Sequence, residues 1–167
     1  MLKITISRKV FWFSSLSVMN KLKFSTGIAI PEAKAVLKKA QAVCFDVDST
    51  VIKEEGIDVL ADYLGAGAAV AELTKKAMGG SVLFQDALQA RLSLIKPSKK
   101  NIEDCLIAHP FQFTPTVELF IEKLHKRGTY VYLVSGGFRQ MINPIADKLN
   151  IPRHVIMQYY SQLLTQY

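Results

Sequence analysis

What the chain has little of narrows it first. Two cysteines, Cys44 and Cys105, stand among 167 residues without metal-site spacing, and Cys44 falls inside an apolar run. That usage supports a reduced, intracellular protein rather than a disulfide-built one. His109, His125 and His154 are scattered, so a tetrahedral zinc site lacks its paired donors. No apolar run approaches the roughly 20 residues of a membrane span. There are no internal repeats and no low-complexity tracts. Acids are absent from the first 31 residues, where Lys3, Arg8, Lys9, Lys21 and Lys23 carry five of the seven net positive charges. The body is therefore close to neutral and shows no alternation of basic and aromatic residues. A dedicated nucleic-acid surface is disfavoured. With 50% hydrophobic residues the chain can bury a sizeable core, as one domain or one domain carrying an insertion.

Residues 1–30 are basic, acid-free and Ser-containing, with a local apolar stretch at Val10-Phe11-Trp12-Phe13. This is the composition of an organellar transit peptide; a plain leader, with Met19 as an alternative start, fits equally. The expected location is cytoplasmic, or mitochondrial or plastid if the leader directs import.

The richest stretch is Ala42-Val43-Cys44-Phe45-Asp46-Val47-Asp48-Ser49-Thr50-Val51-Ile52. An apolar run bounded by polar residues suits a fully buried strand of a parallel sheet. Carboxylates at the end of such a strand lie in the crevice where open α/β sheets bind ligands. Two so close repel, and Mg²⁺ is the natural cation between them. A calcium loop is excluded, because Val51 and Ile57 stand where it needs Gly and Glu.

Pro31 opens a helix over 31–40. Four further helices are predicted over 54–64, 68–77, 82–95 and 98–108. On the third, Arg91 shares a stripe with Phe84, Leu88, Leu92 and Ile95, and a guanidinium there must snorkel or find an anion. Thr114 as N-cap and Pro115 at the first position open the next helix, which Gly128 ends. A second buried strand is predicted over 129–134. Ser135-Gly136-Gly137 and a helix start follow, an anion site built from backbone N–H groups. Pro144 is expected to restart or kink that helix.

These residues resemble a known family. Asp46-Val47-Asp48-Ser49-Thr50-Val51 is similar to the first motif of haloacid dehalogenase-type phosphatases, and Ser135-Gly136-Gly137, 89 positions later, to the second. The runs 44–60, 77–84, 91–95 and 135–139, with 148–152, resemble the eukaryotic phosphoserine phosphatase family. The resemblance implies an α/β fold with a Rossmann-like parallel sheet and a helical cap inserted after the first strand. The divisions are a leader over 1–30, a partial catalytic core over 31–53 and 109–156, a cap over 54–108 and a divergent tail over 157–167. It also implies Mg²⁺-dependent hydrolysis of O-phosphoserine, the last step of serine biosynthesis, through an aspartyl-phosphate. Asp46 would be the nucleophile and Asp48 the acid/base. Mg²⁺ would be held by Asp46 and the backbone carbonyl of Asp48. Ser135, Gly136, Gly137 and Gly79 would hold phosphate, Arg91 the substrate carboxylate and Glu55 its ammonium, with Met78 and Phe84 lining the pocket. No nucleic acid or membrane partner is implied, and a homodimer is an open alternative to a monomer.

The family's later Lys and Gly-Asp-Gly-x-x-Asp loop have no counterpart, since no acid follows Asp147 and no lysine follows Lys148. The core is thus expected to be incomplete at its C-terminus, as in a truncated or alternatively spliced product. The alternative reading is an inactive partial domain that binds a full-length relative or has no function.

Overall fold

The computed structural model describes residues 10–13, 30–78 and 84–158, with the backbone alone for 10–13, 30–33, 76–78 and 84–85. Four parallel strands form one sheet in chain order: β1 (Val10–Phe13), β2 (Ala42–Asp46), β3 (Tyr130–Ser135) and β4 (Ile156–Gln158). The helices are α1 (Ile30–Lys39), α2 (Gly56–Tyr63), α3 (Gly67–Met78), α4 (Phe84–Ile95), α5 (Lys99–Ala108), α6 (Val117–Lys126) and α7 (Arg139–Lys148). The α/β expectation holds, with a helical block between β2 and β3. No helix among the described residues is long and apolar enough to cross a membrane.

β2 is the predicted core strand: Val43 and Phe45 are wholly buried, and Phe45 meets Phe120 of α6 edge-on at 5.8 Å. It is not the first strand. Val10–Phe13, assigned to the leader from its basic surroundings, pairs in parallel with Ala42–Phe45. Its β-branched and aromatic residues suit a sheet, and at this scale they outweigh a compositional reading of the surrounding segment. The remainder of that leader, 1–9 and 14–29, lies outside the described residues. At the other edge β4 includes Met157 and Gln158, which the sequence reading placed in the tail.

Two helix details differ from expectation. Thr114 does not cap α6, which starts at Val117 directly after Thr116, a residue in the left-handed region at φ 70° whose side chain makes no cap bond; the Thr114 N–H goes to the Val51 carbonyl at 3.0 Å. Nor is α7 broken at Pro144. The bond that this proline forgoes would reach the Gln140 carbonyl, within the helix's first turn. α5 starts as read, with Ser98 and Asn101 in a reciprocal capping box.

The apolar residues fall into two clusters. One surrounds the sheet, with Val43, Phe45, Ile121, Leu133 and Ile145. The other lies within the helical block, with Leu60, Val70, Leu88, Leu92 and Ile102, and Phe138 from the start of α7 belongs to it. The block therefore rests on the turn that follows β3. Its two linkers pair: Ile52 and Phe113 form an antiparallel bridge, and the Lys53 N–H donates to the Gln112 carbonyl at 2.9 Å. Both Glu54 carboxylate oxygens accept the Gln112 N–H at 3.1 Å.

That carboxylate is the one charged acceptor of the linker ribbon, and at a solvent-exposed position it should be worth about 1 kcal/mol. Glu54→Ala is expected to speed hydrogen exchange at the Gln112 amide about fivefold to tenfold, leaving Leu133 unchanged. Equal exchange at Gln112 in the two proteins would show that the clasp contributes nothing.

Candidate active site

β2 ends at Asp46, and the chain then makes a single π-type turn over Val47–Val51. Asp48 (ψ 133°) and Ser49 (φ 51°) leave helical geometry inside it, and the turn closes through Ile52 N–H to the Val47 carbonyl at 3.1 Å. This irregular turn keeps both carboxylates at the strand's end. An uninterrupted helix would turn them to opposite faces.

Each carboxylate is held differently. One Asp46 oxygen accepts the Val47 N–H at 2.9 Å; the other has no hydrogen-bond partner among the described residues. Asp48 uses both: Oδ1 accepts the Gly56 N–H at 2.8 Å, and Oδ2 accepts the Ser135 hydroxyl at 3.2 Å. Ser135, the fully buried last residue of β3, in turn accepts the Gly137 N–H at 2.9 Å. So the Ser-Gly-Gly turn meets the aspartate pair directly, and the Gly137 N–H assigned to phosphate is engaged by Ser135. A Cβ on Gly137 would lie 3.3 Å from Ser135 Oγ and 3.4 Å from Asp48 Oδ2.

Electrostatically the cluster is overloaded with acid. Burial pushes Asp46 up to about 7, helped by the charges of Asp48 and Glu55 and opposed by the Val47 N–H. Burial also raises Asp48, and its bonds from Gly56 and Ser135 only partly offset this. Glu55 is raised by burial as well, while the Ser49 hydroxyl at 2.6 Å and the charge of Arg91 pull it down. Arg91, half-buried on α4, donates Nε to the Ala87 carbonyl at 3.3 Å, and its charge acts on Glu55 and on Asp58. The structure thus brings together Asp46, Asp48, Glu55, Arg91, Ser135, Gly136 and Gly137. The side chains of Met78 and Phe84, and Gly79 entirely, lie outside the described residues.

Two residues here escaped the sequence reading. Asp58, one helical turn after Glu55, has a buried Oδ1 with no partner among the described residues, and burial raises its carboxyl. Its spacing from Glu55 on one helix face was the available signal. Gln158 donates Nε2 to the Gly137 carbonyl at 2.6 Å, and nothing local in the sequence announces that contact. A cavity of about 350 Å³ opens beside Asp48 and Gly137, lined mainly by apolar residues of the linkers and α7.

The donor set fits a hard cation held sparingly by protein. Among the described residues no three His, Cys, Asp or Glu side chains converge on one point. What remains is the unpartnered Asp46 oxygen and the Asp48 backbone carbonyl. Mg²⁺ commonly binds through one or two carboxylates with water and substrate phosphate completing the shell.

This arrangement, two aspartates at the end of a buried parallel strand under a helical block and joined to a Ser-Gly-Gly turn, matches one protein class. The model of haloacid dehalogenase-like hydrolases covers residues 40–166, and the chain belongs to that family. The match runs through the segment read as a divergent tail. The chain is 56% identical over 119 residues to the chloroplastic phosphoserine phosphatase of Arabidopsis thaliana, 71% of this chain and 40% of that protein. To the phosphoserine phosphatase of Rattus norvegicus it is 50% identical over 121 residues, 72% of this chain and 54% of the relative. A solved structure described as a phospho-aspartyl intermediate analogue of phosphoserine phosphatase superposes with TM-score 0.59 at 35% identity, over 66% of this chain and 53% of that one. The chain spans about half the length of the curated relatives it matches.

Two outcomes follow from the geometry. The native state keeps a proton on Asp46 that the unfolded chain releases above about pH 4. Stability from this group is therefore full below that pH and is lost as pH rises toward about 7. Asp46→Asn should remove that slope from urea-unfolding free energies measured without divalent cation; an unchanged slope would assign it elsewhere. Separately, a Cβ at Gly56 would lie 3.2 Å from Asp48 Oδ1 and 3.6 Å from Met141 Sδ. Gly56→Ala is expected to shift the Asp48 carboxyl ¹³C resonance while moving the melting temperature by less than about 4 °C.

Proposed function

We propose that the protein to which this chain belongs hydrolyses O-phospho-L-serine to serine and phosphate with Mg²⁺, the closing step of serine biosynthesis. The observation that carries the reading is the Asp48 carboxylate, tied at once to the Ser135 turn and to the Gly56 N–H beside Glu55. The comparisons support it, because their named relatives are phosphoserine phosphatases.

In this reading an Asp46 oxygen bonds to phosphorus as the serine–oxygen bond to phosphorus breaks. Asp48 gives its proton to the departing oxygen, which suits a carboxyl whose hold on a proton is raised by burial. Asp48 then takes a proton from the water that opens the Asp46–phosphate bond, so the two carboxyls return to their starting state. Asp46 and the Asp48 carbonyl would hold Mg²⁺, whose charge supplies what an anionic nucleophile needs to approach an anionic phosphate. Ser135 and the Gly136 N–H would receive phosphate oxygens at the start of α7. Arg91 would pair with the substrate carboxylate and Glu55 with its ammonium, where their charges already act on each other. The chloroplastic relative and the basic leader support a plastid location, with the cytoplasm and the mitochondrion as the alternatives. The second reading, an inactive partial domain, is favoured by one observation: among the described residues no group of three His, Cys, Asp or Glu side chains is placed to hold a metal ion.

Phosphate release from O-phospho-L-serine by the whole protein tests the reading. It should need Mg²⁺ and fall at least about 10³-fold in Asp46→Asn. Arg91→Met should lower kcat/KM more for O-phosphoserine than for a phosphomonoester without a carboxylate. Hydrolysis that survives Asp46→Asn would overturn the assignment. The 167-residue chain alone should turn over at least about 10²-fold more slowly than the whole protein, because each missing preorganised charge costs that much; equal rates would exclude the second reading.

A further inference from the structure

Gln158 closes a chain of hydrogen bonds that runs from the sheet edge to the acid/base carboxylate. It is the last residue of β4 and lies in register with Ser135 of β3. Its Nε2 donates to the Gly137 carbonyl at 2.6 Å. The Gly137 N–H donates to Ser135 Oγ at 2.9 Å, and that hydroxyl donates to Asp48 Oδ2 at 3.2 Å. Chemistry fixes the direction of the first two links: a carbonyl only accepts, so the amide nitrogen must face Gly137, and a backbone N–H only donates, so Ser135 Oγ accepts from it.

β4 is short, yet its position is anchored. The Arg139 guanidinium, at the start of α7, donates to the carbonyls of Arg153 at 3.2 Å and Ile156 at 2.9 Å. Gln158 therefore acts from a clamped strand. The turn it holds has little slack, since the space beside Gly137 is already bounded by Ser135 Oγ and Asp48 Oδ2. A bond to the Gly137 carbonyl also polarises the peptide whose N–H belongs to Phe138, at the threshold of α7. A neutral amide can do this without placing a negative charge against an anion site. A carboxylate there could do neither.

We infer that Gln158 is a positioning residue, which braces the Ser135–Gly137 turn so that its hydroxyl and backbone N–H groups are preset for an anion and for Asp48. The inference rests on reading that turn as the phosphate cradle.

Two measurements on the full chain separate the brace from the cradle. By ¹⁵N-resolved hydrogen exchange, Gln158→Ala should speed exchange of the Gly137 amide about tenfold, with Val131 and Leu133 unchanged. By titration with inorganic phosphate in Mg²⁺, the Kd should weaken about tenfold in Gln158→Ala and further in Gln158→Glu, with Gln158→Asn recovering part of the loss. A general loss of stability would accelerate all β3 amides together and would not rank the glutamate below the alanine. Gly137 exchange within twofold of the parent in Gln158→Ala, or acceleration shared by all of β3, would overturn the brace. If the parent chain binds no phosphate while the Gly137 exchange still rises, the cradle reading fails and the brace stands.

Discussion

Two partly desolvated carboxylates at the end of one buried strand impose the condition that the surrounding structure has to meet. Burial raises both Asp46 and Asp48; the charge of Asp48 adds to the difficulty of ionising Asp46, and that of Asp58 to the difficulty of ionising Asp48. Such a pair survives by holding a proton, by receiving hydrogen bonds, or by taking a cation. The chain divides these remedies unequally. Both Asp48 oxygens accept a donor, whereas one Asp46 oxygen has no hydrogen-bond partner among the described residues. The asymmetry would suit the duties proposed for the pair, an acid/base that stays in place and a nucleophile that reaches outward.

The helical block meets the same condition from above. It contributes Glu55 and Arg91, opposite charges that partly relieve one another, and Asp58, which adds a fourth acid to the neighbourhood. Its seat is fixed by paired linkers and by Phe138, a residue of the turn after β3 that is buried in the block's own cluster. The same short segment therefore meets both the Asp48 carboxylate and the helical block. A shift of the cap cannot leave the turn untouched, and tight packing transmits small displacements.

How much of this the sequence made legible depends on the distance over which each signal acts. β2, the aspartate pair and the Ser-Gly-Gly turn are local patterns, in which apolar runs and short polar motifs carry their own meaning. The cap helices were equally plain from their periodicity. Arg91 was visible as a misfit, a guanidinium on an apolar stripe. What escaped depends on pairing between distant segments. Val10–Phe13 is a strand because β2 has an open edge for it, whereas the composition around it described only a basic leader. Thr114 looks like a helix cap until its N–H is committed to Val51 in the linker ribbon.

Gln158 makes the point most sharply. It stands in a segment without acids, lysines or a motif, and its one strong contact is to a backbone carbonyl 21 positions away. A residue that acts on backbone leaves no complementary side chain for sequence reasoning to find. The edge of the sheet is thus a working part of the site, reaching Asp48 through three successive hydrogen bonds. The open oxygen of Asp46 has no such support. The chain holds the Asp48 carboxylate from both sides, through Gly56 and Ser135, and leaves one Asp46 oxygen without a partner among the described residues.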